Sequence, residues 1–327
     1  MRYGTDTELL GDQHLGKRFR RGVPLDRRGD REATQWEDFE RSLEAGLISK
    51  FHVNMGDIFD ETVVPFGVVL RAAKAYISAA EAAPECQFVV IRGNHDASKD
   101  LDRVSAFGLF AAILDNGPSN IHVLNDDVLR LDDYVFIPWH PVYEAAEMVE
   151  RNAGRITGST TAFGHWDVVA ISDTSNLLPA KALRDLGVEQ AVTGHDHNAR
   201  ELILDEMPVL VTGSMQPYSH SEDAEGELYV TLSPQEVLEQ ADRLKYKCVR
   251  VELLPGEIFD QMIDCYQLTT VVRGQEGTED DLDASVEFEE FDFGRLLSQA
   301  CEEADLKDAD FISLLKTRID DERSREG

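Results

Sequence analysis

The sequence has no paired cysteines, no long apolar run and no positive balance of charge. Its four cysteines, Cys86, Cys248, Cys265 and Cys301, are scattered without a CxxC spacing. That pattern leaves buried or free thiols in a reducing cytoplasm. No apolar stretch approaches the ~20 residues that span a bilayer, so no membrane partner is expected. Met1-Arg2-Tyr3-Gly4-Thr5-Asp6 carries no apolar h-region, so no signal peptide is expected either. Lys and Arg number 32 against 63 Asp and Glu, for a net charge of −31, and Lys is scarce beside Arg. Such a surface suits high salt, where self-repulsion is screened, as in a halophilic cell or a virus of one. It also argues against a broad basic face for nucleic acid.

What is present is enough for a real core: 327 residues, 42% of them hydrophobic. One large domain and a smaller one are expected. The chain is organised around Gly93-Asn94-His95-Asp96, which follows the apolar run Gln87-Phe88-Val89-Val90-Ile91. In open α/β sheets, ligands sit outside the carboxyl ends of strands, and a Gly there lets the backbone turn sharply. Gly11-Asp12-Gln13-His14 and Gly56-Asp57-Ile58-Phe59-Asp60 stand in the same way after Thr7–Leu10 and Phe51–Met55. Gly194-His195-Asp196-His197 follows Gln190–Thr193, and Gly164-His165 completes the set.

Helices are expected at 33–48, 66–83, 101–114 and 179–186 from their apolar spacing. Residues 121–124, 128–131 and 134–138 read as a meander of strands, and Val168–Ile171 as a further apolar segment. Beyond His197 the chain is β-rich, at 201–204, 209–212, 227–232 and 248–253. Gly213-Ser214-Met215-Gln216-Pro217 is a turn placed to close the site's rim. Two amphipathic helices are expected at 291–304 and 309–322. Lys17-Arg18-Phe19-Arg20-Arg21, with Arg27, Arg28 and Arg31, is the densest basic stretch, and Gly22, Pro24 and Gly29 make it a loop. A phosphate-backbone contact through Lys17, Arg18, Arg20, Arg21, Arg27 and Arg28 is expected beside the site.

Asp12, His14, Asp57, Asn94, His165, His195 and His197 are too many N/O donors for one ion and suit two. A shared carboxylate can bridge two metals ~3.5–4 Å apart and clamp a phosphate between them. No Cys takes part, which favours Mn, Fe or Zn on imidazole and carboxylate over a structural zinc site.

D-x-H, G-D-x-x-D, G-N-H-D, G-H and G-H-x-H, in that order over residues 11–197, resemble the calcineurin-like metallophosphoesterases. Leu15-Gly16 after His14, and Phe59 within the second motif, resemble in particular the SbcD/Mre-eleven DNA-repair nucleases in their short phage version. The resemblance implies an α/β fold, a four-layer αββα metallophosphoesterase core at 1–232. A small α+β capping domain at 233–287 and a C-terminal helical partner-docking segment at 288–327 would follow. It implies that Asp12, His14 and His197 hold one metal, that Asn94, His165 and His195 hold the other, and that Asp57 bridges them. The metals would be two divalent ions, Mn2+ by preference, with Fe2+ or Zn2+ as alternatives. His95 would be the acid that protonates the leaving oxygen, with the Asp60 carboxylate hydrogen-bonded to it. Asp196 is not carried over and would at most support a neighbouring ligand. Partners implied are DNA, an SbcC-like SMC-type ATPase and a second copy of the chain through helices within 66–114.

Two residues depart from the nuclease pattern. Asp60 stands where many of those nucleases have His, and Trp166 follows the fifth-motif His where a small or polar residue is commoner. The preferred function is a two-metal DNA nuclease, exo- or endonucleolytic, in DNA end processing. A phosphatase or cyclic-nucleotide phosphodiesterase on the same fold is the first alternative. Protein phosphatases of the family continue G-D-x-x-D with Arg-Gly, whereas Glu61-Thr62 follows here. A non-catalytic acidic binding protein is the second, and it leaves the donor set unexplained.

Overall fold

The computed structural model describes residues 1–98, 104–169, 176–223 and 225–273. Residues 1–275 form one compact unit. Its first sheet holds β1 (Arg2–Tyr3), β2 (Thr7–Leu10), β3 (Phe51–Asn54), β4 (Gln87–Ile91) and β5 (Ile121–Leu124), in that spatial order. All pairs are parallel except β1 with β2. The second sheet holds β6 (Leu129–Leu131), β7 (Tyr134–Ile137), β8 (Thr161–Gly164), β9 (Gln190–Thr193), β10 (Arg200–Leu204) and β11 (Met207–Val211). Its order is β10-β11-β9-β8-β7-β6, with antiparallel pairs only at the two edges.

Parallel strands are covered on both faces, so they read as unbroken apolar runs. In β4, Phe88 and Val90 face the helices α1 (Asp30–Leu43), α2 (Phe66–Ala82) and α3 (Ala106–Leu114) through Phe39, Tyr76 and Phe110. Val89 and Ile91 face the second sheet and meet Phe136, Phe163 and Val192. The outer side of the second sheet is covered by α4 (Ala145–Arg151), α5 (Ala153–Ile156) and α6 (Ala180–Asp185), through Met148, Val149, Ile156 and Leu183. These are the four layers of an αββα fold. A third, all-parallel sheet of β12 (Tyr229–Leu232), β13 (Cys248–Leu253) and β14 (Gln267–Val272) packs with α7 (Pro234–Glu239) around Val237, Val249 and Val251. β12 precedes residue 233, so this small layer draws in residues from before the boundary expected there.

Several local expectations change. The first helix starts at Asp30 and ends at Leu43, and a 3-10 turn runs on to Ile48. Residues 99–103 lie outside the described part, and the helix after them starts behind an N-cap at Ser105, whose hydroxyl accepts from Gly108 N. The meander is overturned: β5 is the parallel neighbour of β4 in the first sheet, and only β6 and β7 form a hairpin. The apolar pattern of three short strands is the same in either arrangement, so pairing across the sheets decided it. Val168 and Val169 are not in a strand, and Ala170 and Ile171 lie outside the described residues. So do Cys301 and both expected C-terminal helices. The other three cysteines are free and buried. No helix among the described residues is long and apolar enough to cross a membrane.

One buried histidine makes the fold's stability depend on pH. His52 in β3 donates from Nε2 to the Ser42 carbonyl at 3.2 Å, and burial pulls its pKa down to about 4. The unfolded chain takes up that proton near pH ~6.5. Between these values the unfolded state binds more protons, so stability falls as pH falls, by up to about 1.4 kcal/mol per pH unit. Urea midpoints between pH 6.5 and 5 should therefore drop more steeply in the wild type than in His52→Gln. Equal slopes would remove His52 from this role.

Candidate metal centre

The donors gather where the strand ends of both sheets meet. Asp12 and His14 follow β2, Asp57 follows β3, Asn94 and His95 follow β4, His165 follows β8, and His195 and His197 follow β9. Three of them sit in the left-handed backbone region: His14 (φ 48°), Asp57 (φ 50°) and His195 (φ 77°). Such residues cost about 1–3 kcal/mol each and persist only where the surroundings fix them. The motif glycines make room for this. A Cβ on Gly93 would stand 2.1 Å from Asp57 Oδ1, and one on Gly56 would stand 2.4 Å from His165 Nδ1. Asp96 clamps the two turns together, accepting from Ile58, Phe59 and Gly93 N–H at 3.0–3.3 Å. Burial, then the nearby Asp57, pushes its pKa up to about 7.

The lone pairs of the cluster point at one another. His165 donates Nδ1–H to the Met55 carbonyl (2.9 Å), which leaves Nε2 as an acceptor. That Nε2 lies 2.8 Å from Asn94 Oδ1, 3.2 Å from His195 Nδ1 and 3.4 Å from Asp57 Oδ2. Asn94 Oδ1 also lies 2.9 Å from His195 Nδ1. On the other side, His14 Nε2 faces His197 Nε2 at 3.1 Å. Asp12, His14 and His197 gather their ligand atoms within 4.8 Å of one another; so do Asp57, His165 and His195, and so do His14, Asp57 and His95. Asp57 thus shares a cluster with residues on both sides. Burial, then repulsion from Asp57, raises the pKa of Asp12 well above the carboxylate range. Burial acts on Asp57 in the same direction, but His165, His95 and His14 outweigh it and hold its carboxyl below that range.

This donor set fits divalent cations. Ligands at ~2.0–2.1 Å from one ion stand about 3 Å apart, the spacing seen here among the inward-facing ring nitrogens and the Asn94 oxygen. The structure brings Asp12, His14, Asp57, Asn94, His165, His195 and His197 together. His95 joins them at the exposed edge: its N–H donates to Asp57 Oδ1 at 2.9 Å, and its ring stands edge-on to His14 at 4.9 Å.

The expected pairing of the Asp60 carboxylate with His95 is corrected. His95 Nδ1 donates to the backbone carbonyl of Asp60 at 2.7 Å. The carboxylate turns the other way, 3.5 Å from His14 Nδ1 and 3.4 Å from Lys17 Nζ. Burial would raise its pKa, and those two partners together bring it below the usual value. Asp196 is taken by Arg200 at 2.5 Å. Trp166, the other departure, is 1% exposed and packs in the core beneath the second sheet.

The basic stretch splits in two. Arg18, Arg20, Arg21 and Arg28 are exposed. Arg27 is buried between Asp30 and Asp264 and lies over the Tyr266 ring, so it is not available to a phosphate. Arg31 is buried too, bonded to Gln216 and the Pro217 carbonyl. The turn at 213–217 does lie against the site: Ser214 N donates to the His197 carbonyl and Met215 N to that of Asp12, at 3.2 and 3.3 Å. Gln35 and Tyr218, absent from the sequence reading, hold the backbone of residues 12–14. Gln35 Nε2 donates to the carbonyls of Gln13 and His14, and the Tyr218 hydroxyl to those of Asp12 and Gln13. No motif spacing marks either of them.

Carboxylate, carboxamide and imidazole donors at the strand ends of a four-layer fold define a class, the metal-dependent hydrolases. Residues 9–199 match the model of the calcineurin-like phosphoesterases, and the chain belongs to that family. No curated protein matches the sequence. Among solved structures, the phosphopantetheinyl hydrolase PptH of Mycobacterium tuberculosis is similar at 12% identity, covering 66% of this chain and 95% of that one, with a TM-score of 0.39. A dimetal phosphatase from Danio rerio is similar at 13% identity, covering 64% and 87%, also with a TM-score of 0.39. GAP50, the anchor in the inner membrane complex of Plasmodium, is similar at 13% identity, covering 64% and 71%, with a TM-score of 0.36. Likenesses this remote say nothing about the substrate.

Proposed function

We propose that the chain is a two-metal phosphodiesterase acting on DNA. Asp12, His14 and His197 would hold one divalent ion, Asn94, His165 and His195 the other, and Asp57 both, with Mn2+ the preferred metal. Bound there, the cations would supply Lewis acidity toward a phosphoryl oxygen and the attacking water. The chain's own residues do the rest. The protonated ring of His95, held at Nδ1 by the Asp60 carbonyl, would donate its other proton to the leaving oxygen. Lys17, drawn toward Asp60, would meet a non-bridging phosphate oxygen.

The observation that carries the DNA reading is the position of the basic loop. Phe19 stacks on Tyr218 (centroids 6.5 Å, planes 7° apart), and Tyr218 stands edge-on to His14 at 5.1 Å. Arg18 and Arg20 flank Phe19 on an exposed strip, where a backbone running past the metals would find them. Partnership with an SbcC-like SMC-type ATPase and self-association belong to the same proposal. They rest on the resemblance and would be read by co-purification and gel filtration.

A phosphatase or cyclic-nucleotide phosphodiesterase is the second reading. It is favoured by the burial of Arg27 and Arg31, which thins the strip. The test compares Mn-dependent hydrolysis of linear duplex DNA, bis-p-nitrophenyl phosphate and p-nitrophenyl phosphate. The DNA reading expects Arg18, Arg20 and Arg28 changed together to Ser to weaken duplex binding by roughly 10-fold or more and to flatten its salt slope. Hydrolysis of the small diester should persist. Unchanged DNA affinity, or activity confined to the monoester, would favour the second reading.

A further inference from the structure

Two carboxylates outside the motif set stand behind two of the ligand imidazoles. Glu222 Oε1 lies 3.2 Å from His197 Nδ1, and Asp167 Oδ1 lies 2.9 Å from His195 Nε2. A neutral imidazole carries one N–H. Given to Glu222, it leaves His197 Nε2 as a lone pair facing His14 Nε2 at 3.1 Å. Given to Asp167, it leaves His195 Nδ1 as a lone pair facing Asn94 and His165. In each case the carboxylate selects the tautomer in which the inward nitrogen can bind a cation, and it adds electron density to that nitrogen.

Both carboxylates are themselves fixed, by different parts of the fold. Glu222 accepts from Tyr218 N–H at 2.8 Å and from the Ser219 hydroxyl at 3.0 Å. Its neighbour Asp223 accepts the N–H groups of Glu227, Leu228 and Tyr229, where β12 begins. Glu222 is thus anchored to the segment that leads into the third sheet. Asp167 lies just past β8, accepts from Asn176 N–H at 2.6 Å, and exchanges backbone bonds with Asn176 and Leu178. Among the described residues the two share no hydrogen-bond partner, and well-separated groups that share none usually act additively.

We infer that Glu222 and Asp167 are positioning residues, each setting the metal affinity of one half of the centre. Glu222 serves the position formed by Asp12, His14 and His197. Asp167 serves the position formed by Asn94, His165 and His195. The inference rests on the two-metal reading and deepens it. It gives the two positions separate supports, so that one can be weakened while the other stays filled.

The experiment is a calorimetric titration of Mn2+ into the metal-stripped full chain, with melting temperatures recorded alongside. The wild type is expected to take two equivalents. Glu222→Ala should lower the affinity of one equivalent by about 10–100-fold and leave the other within about 2-fold, and Asp167→Asn should do the same. Glu222→Gln, which keeps the volume and an acceptor, should give a smaller loss in the same direction and guards against misfolding of the Ala variant. In a His165→Ala background, where the first position remains, Glu222→Gln should weaken the remaining equivalent and Asp167→Asn should not. Two tight equivalents in both single variants would overturn the inference and leave the two-metal reading standing. A wild type that binds no second equivalent would overturn both. Loss of both equivalents together with a fall in melting temperature would make these residues general supports of the fold and overturn the inference.

Discussion

Asp57→Ala is expected to lose both metal equivalents and to lower phosphodiester hydrolysis by about 1000-fold or more, since the cations supply several kcal/mol of transition-state stabilisation. Asp57 is 1% exposed. Its carboxylate reaches His165 on one side and clusters with His14 and His95 on the other. No other acidic side chain within these clusters is shared between the two sides. On the two-metal reading, removing it would take one ligand from each ion and the main negative charge from between them. His165→Ala should be milder, sparing the first equivalent more than the second. Thermal shift gives an independent readout. Mn2+ at about 100 times its dissociation constant should stabilise the wild type by about 2.7 kcal/mol per site, or roughly 4 °C per site at this size. Asp57→Ala should show almost none of that shift. Two full equivalents in the variant would end Asp57's role as the bridge.

His95→Gln is expected to keep both metals and DNA binding and to lose about 100- to 10,000-fold in rate, the range for removing a general acid. The residue is exposed at the rim and tied down at two points, its backbone N–H to the Asp57 carboxylate and its ring Nδ1 to the Asp60 carbonyl. The second bond comes from backbone, so it survives a change of the Asp60 side chain. Asp60→Asn should therefore turn over with nearly the wild-type rate and pH profile. Its effect should fall on the first metal position instead, because its carboxylate faces His14 and Lys17. Single-turnover rates beside metal titrations separate the two. A His95→Gln rate within about 3-fold of wild type would remove the ring from proton transfer. An Asp60→Asn variant that matches the slow rate of His95→Gln would restore the carboxylate pairing read from the sequence.

The sequence was informative wherever chemistry depends on which residue stands at the end of which strand. Gly before Asp57 and before Asn94 is written in the chain, and the close approaches of 2.4 and 2.1 Å that would follow from a Cβ explain why. The parallel strands β2, β3, β4, β8 and β9 announce themselves as short apolar runs, and their carboxyl ends fall on one edge. Asp167, two residues past His165, was within reach of the same reading, since a carboxylate beside a ligand His is a common support. Glu222 and Tyr218 were not, because nothing local ties residues some twenty positions beyond His197 to it.

Taken alone, then, the sequence placed Asp12, His14, Asp57, Asn94, His95, His165, His195 and His197 at the ends of apolar strands, and its resemblance to the calcineurin-like phosphoesterases implied the αββα layering; strand order and backbone geometry carry those side chains to one place. Tertiary structure alone decided where each side chain turns once there. Asp60 leans to His14, Arg27 is drawn inward between Asp30 and Asp264, and β5 pairs with β4 and not β6. Each of these is a choice between partners far apart in the chain. A choice of that kind depends on burial and on hydrogen bonds completed across the fold, which leave no periodic trace in the order of residues.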